Sequence, residues 1–128
     1  MASNWNDVVR HVAQTYKYEQ ASDDLLRLIF SFGNRSQLVL VSRGAGSQGD
    51  WVQIQSPIGA PSKKRLPEIL RECSTKLCGA LVMIGDNVFL SHSTPVSSFN
   101  PDDFDWALKA IVATADDLEA KYVGGDAF

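Results

Sequence analysis

Several short stretches of this 128-residue chain carry residue types able to do chemistry. Gly44-Ala45-Gly46-Ser47-Gln48-Gly49 spells G-x-G-x-x-G, a pattern that cradles a pyrophosphate where a strand gives way to a helix. Here a strand precedes it, but Asp50-Trp51-Val52-Gln53-Ile54 alternates like another strand. No helix dipole is at hand, so the spacing predicts a flexible hairpin loop over Gly44–Asp50. Cys73 and Cys78 have no nearby histidine to complete a zinc set. Both sit beside apolar residues, which predicts two buried thiols, with a redox pair as the alternative. Ser91-His92-Ser93-Thr94 sets hydroxyls beside an imidazole, yet neighbours in a strand point to opposite faces, so Ser91 and His92 cannot pair directly. His11 is too distant in sequence to pair with them by inspection. Asp116, Asp117 and Glu119 diverge around a helix and read as a solvated face rather than as metal ligands. Lys63-Lys64-Arg65 is a compact basic cluster without the interleaved aromatics of a nucleic-acid interface. The expectation is a protein with no enzymatic activity, no metal and no cofactor.

The elements that must position these residues follow from periodicity. Ser3 or Asn4 can cap a first helix running to about Tyr16, with Trp5, Val8, Val12 and Tyr16 on one face. Residues 17–23 are polar and read as a connector. Leu25–Phe32 alternates with Leu26, Leu28, Phe30 and Phe32 on one face; Gln37–Arg43 is a second strand, and the segment closed by Pro57 a third. Leu66, Ile69, Leu70 and Cys73 recur at helical spacing, with Pro67 near the first turn. A hairpin around Gly85-Asp86-Asn87 follows. The long last helix is capped by Asn100, has Pro101 at its first position, and carries Phe104, Leu108, Ile111, Ala115, Leu118 and Tyr122 as one stripe. Gly124–Gly125 is placed to stop it. The order α-β-β-β-α-β-β-α predicts one α+β domain over residues 1–128, an antiparallel or mixed five-stranded sheet with helices packed on it.

One pattern points beyond the core. Leu25 and Ile29 lie opposite Leu26, Leu28 and Phe30, and Leu38 and Leu40 lie opposite Val39 and Val41. A sheet covered on one side only should carry polar residues on the other. Apolar residues on both faces call for a second cover: a helix, a second subunit or a ligand. A hairpin tip at Asn34–Arg35 would set Phe30 opposite Val39 and Leu28 opposite Val41. Leu25, Ile29, Leu38 and Leu40, with Trp51 of the third strand and Trp5 of the first helix, are then the candidate partner-binding residues. Leu66, Ile69 and Leu70 exceed what one side of a short helix buries and are the candidate interface of a homodimer.

A net charge of −3 gives no general attraction to nucleic acid or anionic membranes. Apolar runs fall short of the roughly 20 residues of a membrane helix, and the N-terminus lacks the pattern of a secretory signal. A cytoplasmic location is expected. The element order, the stretch Trp51-Val52-Gln53-Ile54-Gln55-Ser56-Pro57-Ile58-Gly59, and Ala113-Thr114-Ala115-Asp116-Asp117-Leu118-Glu119 running to Gly124-Gly125-Asp126 together resemble the YbjN-like family. More distantly they resemble the class I type III secretion chaperones. The resemblance implies a small, acidic, cytosolic bacterial protein, often a homodimer, whose chaperone members hold an extended partner segment along apolar grooves of helix and sheet. The function expected is therefore a peptide- or protein-binding module. The alternative is a small-ligand sensor on the same sheet, marked by an enclosed pocket rather than a long groove.

Overall fold

The computed structural model describes residues 3–61, 65–76 and 78–123. In chain order these form α1 (Trp5–Thr15), β1 (Glu19–Ser22), β2 (Leu25–Phe32), β3 (Arg35–Gly46), β4 (Gly49–Gly59), α2 (Leu66–Cys73), β5 (Ala80–Ile84), β6 (Asn87–Pro95) and α3 (Pro101–Leu118). The strands make one antiparallel sheet in the order β1-β2-β3-β4-β6-β5. The protein is α+β, with six strands where five were expected. The additional strand is β1, which falls in the expected connector. Its four residues, Glu19-Gln20-Ala21-Ser22, are all exposed, so neither face leaves an apolar alternation to read.

Local chemistry sets the boundaries. The Asn4 side chain accepts from the Asp7 amide while Asp7 accepts from the Asn4 amide, a reciprocal cap for α1. At α3 the Asn100 side chain accepts from the Asp103 amide at 3.0 Å and Pro101 fills the first position. Gly33 and Gly85 have φ of 64° and 61°, and no residue other than glycine among those described has positive φ. Glycine first, with Asn34 and Asp86 at negative φ, is the type II′ pattern that suits two-residue hairpins.

The tip of the β2–β3 hairpin is Gly33–Asn34, because Phe32 pairs with Arg35. Leu28 therefore faces Val39 and Leu26 faces Val41, two residues away from the pairing expected of an Asn34–Arg35 tip. An even shift leaves each side chain on its own face. The glycine-rich segment is also more regular than expected. Pairing runs out to Gly46 and Gly49, leaving only Ser47–Gln48 as the turn. A Cβ at Gly46 would lie 2.6 Å from Trp51 Nε1 and 2.8 Å from the Gly49 carbonyl oxygen. The glycine thus makes room for an indole rather than a phosphate, and the segment continues into a strand.

Side chains from all three helices meet one face of the sheet in a single apolar cluster. Trp5, Val8 and Val12 of α1, Ile69 of α2 and Phe104, Leu108, Ile111, Val112, Ala115 and Leu118 of α3 pack with Leu26, Leu28, Val39, Val41, Val52, Ile54, Val88 and Leu90. Each fully buried aliphatic side chain contributes about 1.5–3 kcal/mol. The expected solvated face of α3 is only partly so. Asp117 and Lys109 are exposed, but Glu119 is fully buried and Asp116 nearly so. Arg35 reaches both, with Nε 3.2 Å from Asp116 Oδ1 and Nη2 3.1 Å from Glu119 Oε1. The chain turns as a π-helix over Glu119–Val123, a widening that periodicity at 3.6 residues per turn does not anticipate. Gly124–Gly125, Asp126 and Lys63–Lys64 lie outside the described residues.

Candidate partner-binding face

Because the three helices share one side, the alternate residues of the strands form an open second face. On β2 and β3 it carries Leu25, Ile29, Leu38 and Leu40, with Ile29 directly opposite Leu38 and Leu40 opposite Gln55 of β4. Ile29 is 66% exposed, and the other three are half-buried by their neighbours. Trp51 of β4 is exposed on the same face, lying across the hairpin over Gly46. Toward the middle the face turns polar, where Gln55 Nε2 donates to Ser91 Oγ at 3.3 Å. Beyond it a second apolar patch begins at Phe89 of β6 and continues into Val82 and Ile84 of β5. The strand pattern around β2 and β3 discloses the first patch. The second is hidden in the sequence because β5, ALVMI, is apolar throughout and its alternation carries no sign.

Of the expected partner-binding residues, Leu25, Ile29, Leu38, Leu40 and Trp51 share this face. Trp5 does not. It is buried on the helix side, and its Nε1–H donates to the Asp23 carbonyl at 2.8 Å. Its indole fills the space between α1 and the sheet edge instead of presenting a surface to a partner. The residues expected at a dimer interface also separate. Ile69 is fully buried and Leu66 half-buried in the intramolecular core, leaving Leu70 exposed.

A cleft of about 600 Å³ opens where the β3–β4 hairpin meets the start of α1. Asn4, Trp5, Asn6, Arg43, Asp50, Trp51 and Pro95 line it. Arg43 is held there by Asp24 at 2.7 Å and Asp50 at 3.5 Å, so its charge is already balanced.

Distance in sequence hides one polar constellation. His11 Nε2 lies 2.8 Å from Asp105 Oδ1, and the Tyr16 hydroxyl donates to the same oxygen at 2.5 Å. Phe99 and Phe104 place their rings edge-on to the imidazole. Burial first, and then the carboxylate, push the Tyr16 phenol well above its ordinary value. The carboxylate's partners are a phenol and an imidazole. The cluster ties α1 to α3.

Ser91 and His92 fall on opposite faces, opposite Gln55 and Ile54 respectively. Cys73 and Cys78 are free, and burial raises both thiols above the usual range, away from the reactive thiolate. Among the described residues no cluster of three or more His, Cys, Asp or Glu is arranged to hold a metal. No helix among them is long and apolar enough to cross a membrane. On the outer side of α3 Trp106 is 79% exposed, beside Asp102, Asp105 and Lys109. No protein-family model matches the sequence, and no curated protein does.

Proposed function

We propose that this chain is a non-enzymatic, chaperone-like module that holds an extended segment of a partner protein on the open face of its sheet. The observation that carries the reading is the placement of all three helices on one side, which leaves Ile29, Leu38, Leu40 and Trp51 uncovered on the other. An extended segment places every second side chain toward the sheet, and full cover of each apolar contact is worth about 1.5–3 kcal/mol. Gln53, Gln55 and Ser91 lie between the apolar patches and offer hydrogen bonds to the segment's polar groups. The likeness to YbjN-like proteins and class I type III secretion chaperones, and the cytoplasmic location it implies, belong to the same proposal.

The test is Ile29→Asp combined with Leu40→Asp, assayed for melting temperature and for retention of partner protein. The expected outcome is a melting temperature near that of the parent with retention lost. Unfolding would place these side chains in a core, where two unpaired carboxylates are not tolerated, and would remove the proposal.

The cleft between Trp5 and Trp51 favours a second reading, a sensor for a small ligand. Its volume of about 600 Å³ falls within the roughly 300–1,000 Å³ of known ligand sites. Screening small metabolites by tryptophan fluorescence separates the two. A ligand that quenches the parent but not Trp51→Phe supports the sensor, and a uniformly silent screen removes it.

A further inference from the structure

Resting on the proposal that the open face holds a partner segment, we infer that this segment carries a carboxylate seated on Arg27. The partner is then recognised by an acidic residue with apolar residues two positions to either side. The strands carry five charged residues, Glu19, Arg27, Arg35, Arg43 and Asp50. Arg35 and Arg43 lie on the helix side with carboxylates already against them, Asp116 and Glu119 for the first, Asp24 and Asp50 for the second. Arg27 faces the other way and is exposed. Among the described residues it makes no ion pair, and Glu19, directly opposite on β1, does not close one with it.

The surroundings of Arg27 give that isolation a consequence. Leu25 and Ile29 stand two residues to either side on β2, about 7 Å away at the rise of a strand, and Leu40 lies directly across on β3. A segment that covers Ile29 and Leu40 therefore also covers the guanidinium set among them. Taking a charge out of water without a partner costs more than an apolar contact returns. A carboxylate brought by the segment turns the same burial into a charge-assisted, two-pronged hydrogen bond. In an extended segment running with β2, the inward side chains recur at the same interval of about 7 Å. An acidic residue over Arg27 then puts the residues two positions before and after it over Leu25 and Ile29. The net charge of −3 gives no long-range attraction to an acidic segment, so the discrimination belongs to this one contact.

Fluorescence anisotropy with dye-labelled synthetic peptides, capped at both ends and flanked by glycine and serine, provides the test. The peptides alternate threonine with leucine and differ only at the central inward position, which is glutamate, glutamine or lysine. The parent is expected to bind the glutamate peptide at least about tenfold more tightly than the glutamine peptide, the scale of a close interfacial charge pair. The lysine peptide is expected to bind most weakly. In Arg27→Leu the glutamate preference is expected to vanish, and in Arg27→Glu to pass to the lysine peptide. Position 27 is exposed on the sheet, so both variants are expected to fold, as circular dichroism checks. Should Arg27→Leu aggregate, Arg27→Gln takes its place.

Equal affinity of the parent for the glutamate and glutamine peptides overturns the inference, as does a glutamate preference that survives in Arg27→Leu. If equally bound peptides lose their affinity in Ile29→Asp with Leu40→Asp, the open face stands as the binding surface and only the carboxylate contact falls. If the parent binds none of the three peptides up to high micromolar concentration, the partner-binding proposal and the inference fall together.

Discussion

At the scale of single residues, burial is decided by partners far away in the chain. Glu119 is the clearest case. Its position one residue past α3 reads as solvent-facing, yet it is fully buried against Arg35. No local pattern reports this, because the partner lies 84 residues away. Arg35→Met removes the charge that makes Glu119 tolerable in the interior, and a loss of about 3–5 kcal/mol is expected in urea denaturation. Asp117→Ala, on the exposed side of the same helix, should change stability by less than about 0.5 kcal/mol. Tyr16 offers a pH test. Its phenol is raised above the ordinary value of 10.0, so the folded state favours the neutral form. Its contribution is complete below that ordinary value and fades as pH rises from there through the folded value. Absorbance titration should show Tyr16 still un-ionised at pH values above the ordinary phenol value of 10.0. In Asp105→Ala it should titrate earlier, though still late, because burial is the larger cause.

At the scale of elements, α1 and α3 were legible because each has one apolar stripe and a side-chain cap. Asn4 and Asn100 cap where expected, and the stripe from Phe104 to Leu118 is the buried one. Two kinds of element were not. A wholly exposed strand such as β1 has no stripe to find, and the exact tip of a hairpin depends on which residue takes positive φ. At Gly33 the choice moved the register by two residues while leaving the faces intact. The glycine-rich motif teaches the same lesson from the other side: its pattern matched a phosphate loop, but the constraint at Gly46 is the neighbouring Trp51 ring. Gly46→Val is therefore expected to displace the indole. Destabilisation of about 1–3 kcal/mol and a shifted Trp51 emission, referenced to Trp51→Phe, are the measurable consequences. A variant with unchanged emission and stability would contradict the packing described.

At the scale of the whole molecule, the question is what six strands with helices on one side do with the other. The sequence disclosed the apolar residues on both faces of β2 and β3 but not which face the helices would take, since that depends on contacts far apart in the chain. Once α1 and α3 settle on Leu26, Leu28, Val39 and Val41, the face bearing Ile29 and Leu40 is left open. Trp5 leaves the candidate site for the core, and Trp106 on α3 emerges as the most exposed large apolar side chain among the described residues. Trp106 supplies the natural control, an exposed aromatic on the helical side, away from the proposed contact. The most direct measurement is site-specific photocrosslinking in extract of the protein's native cells, with the crosslinking residue placed at Ile29, at Leu40 or at Trp106 in turn. The account predicts the same partner protein attached at Ile29 and Leu40, through one extended segment, and no such adduct at Trp106. Adducts confined to Trp106, or none at Ile29 and Leu40, would contradict it.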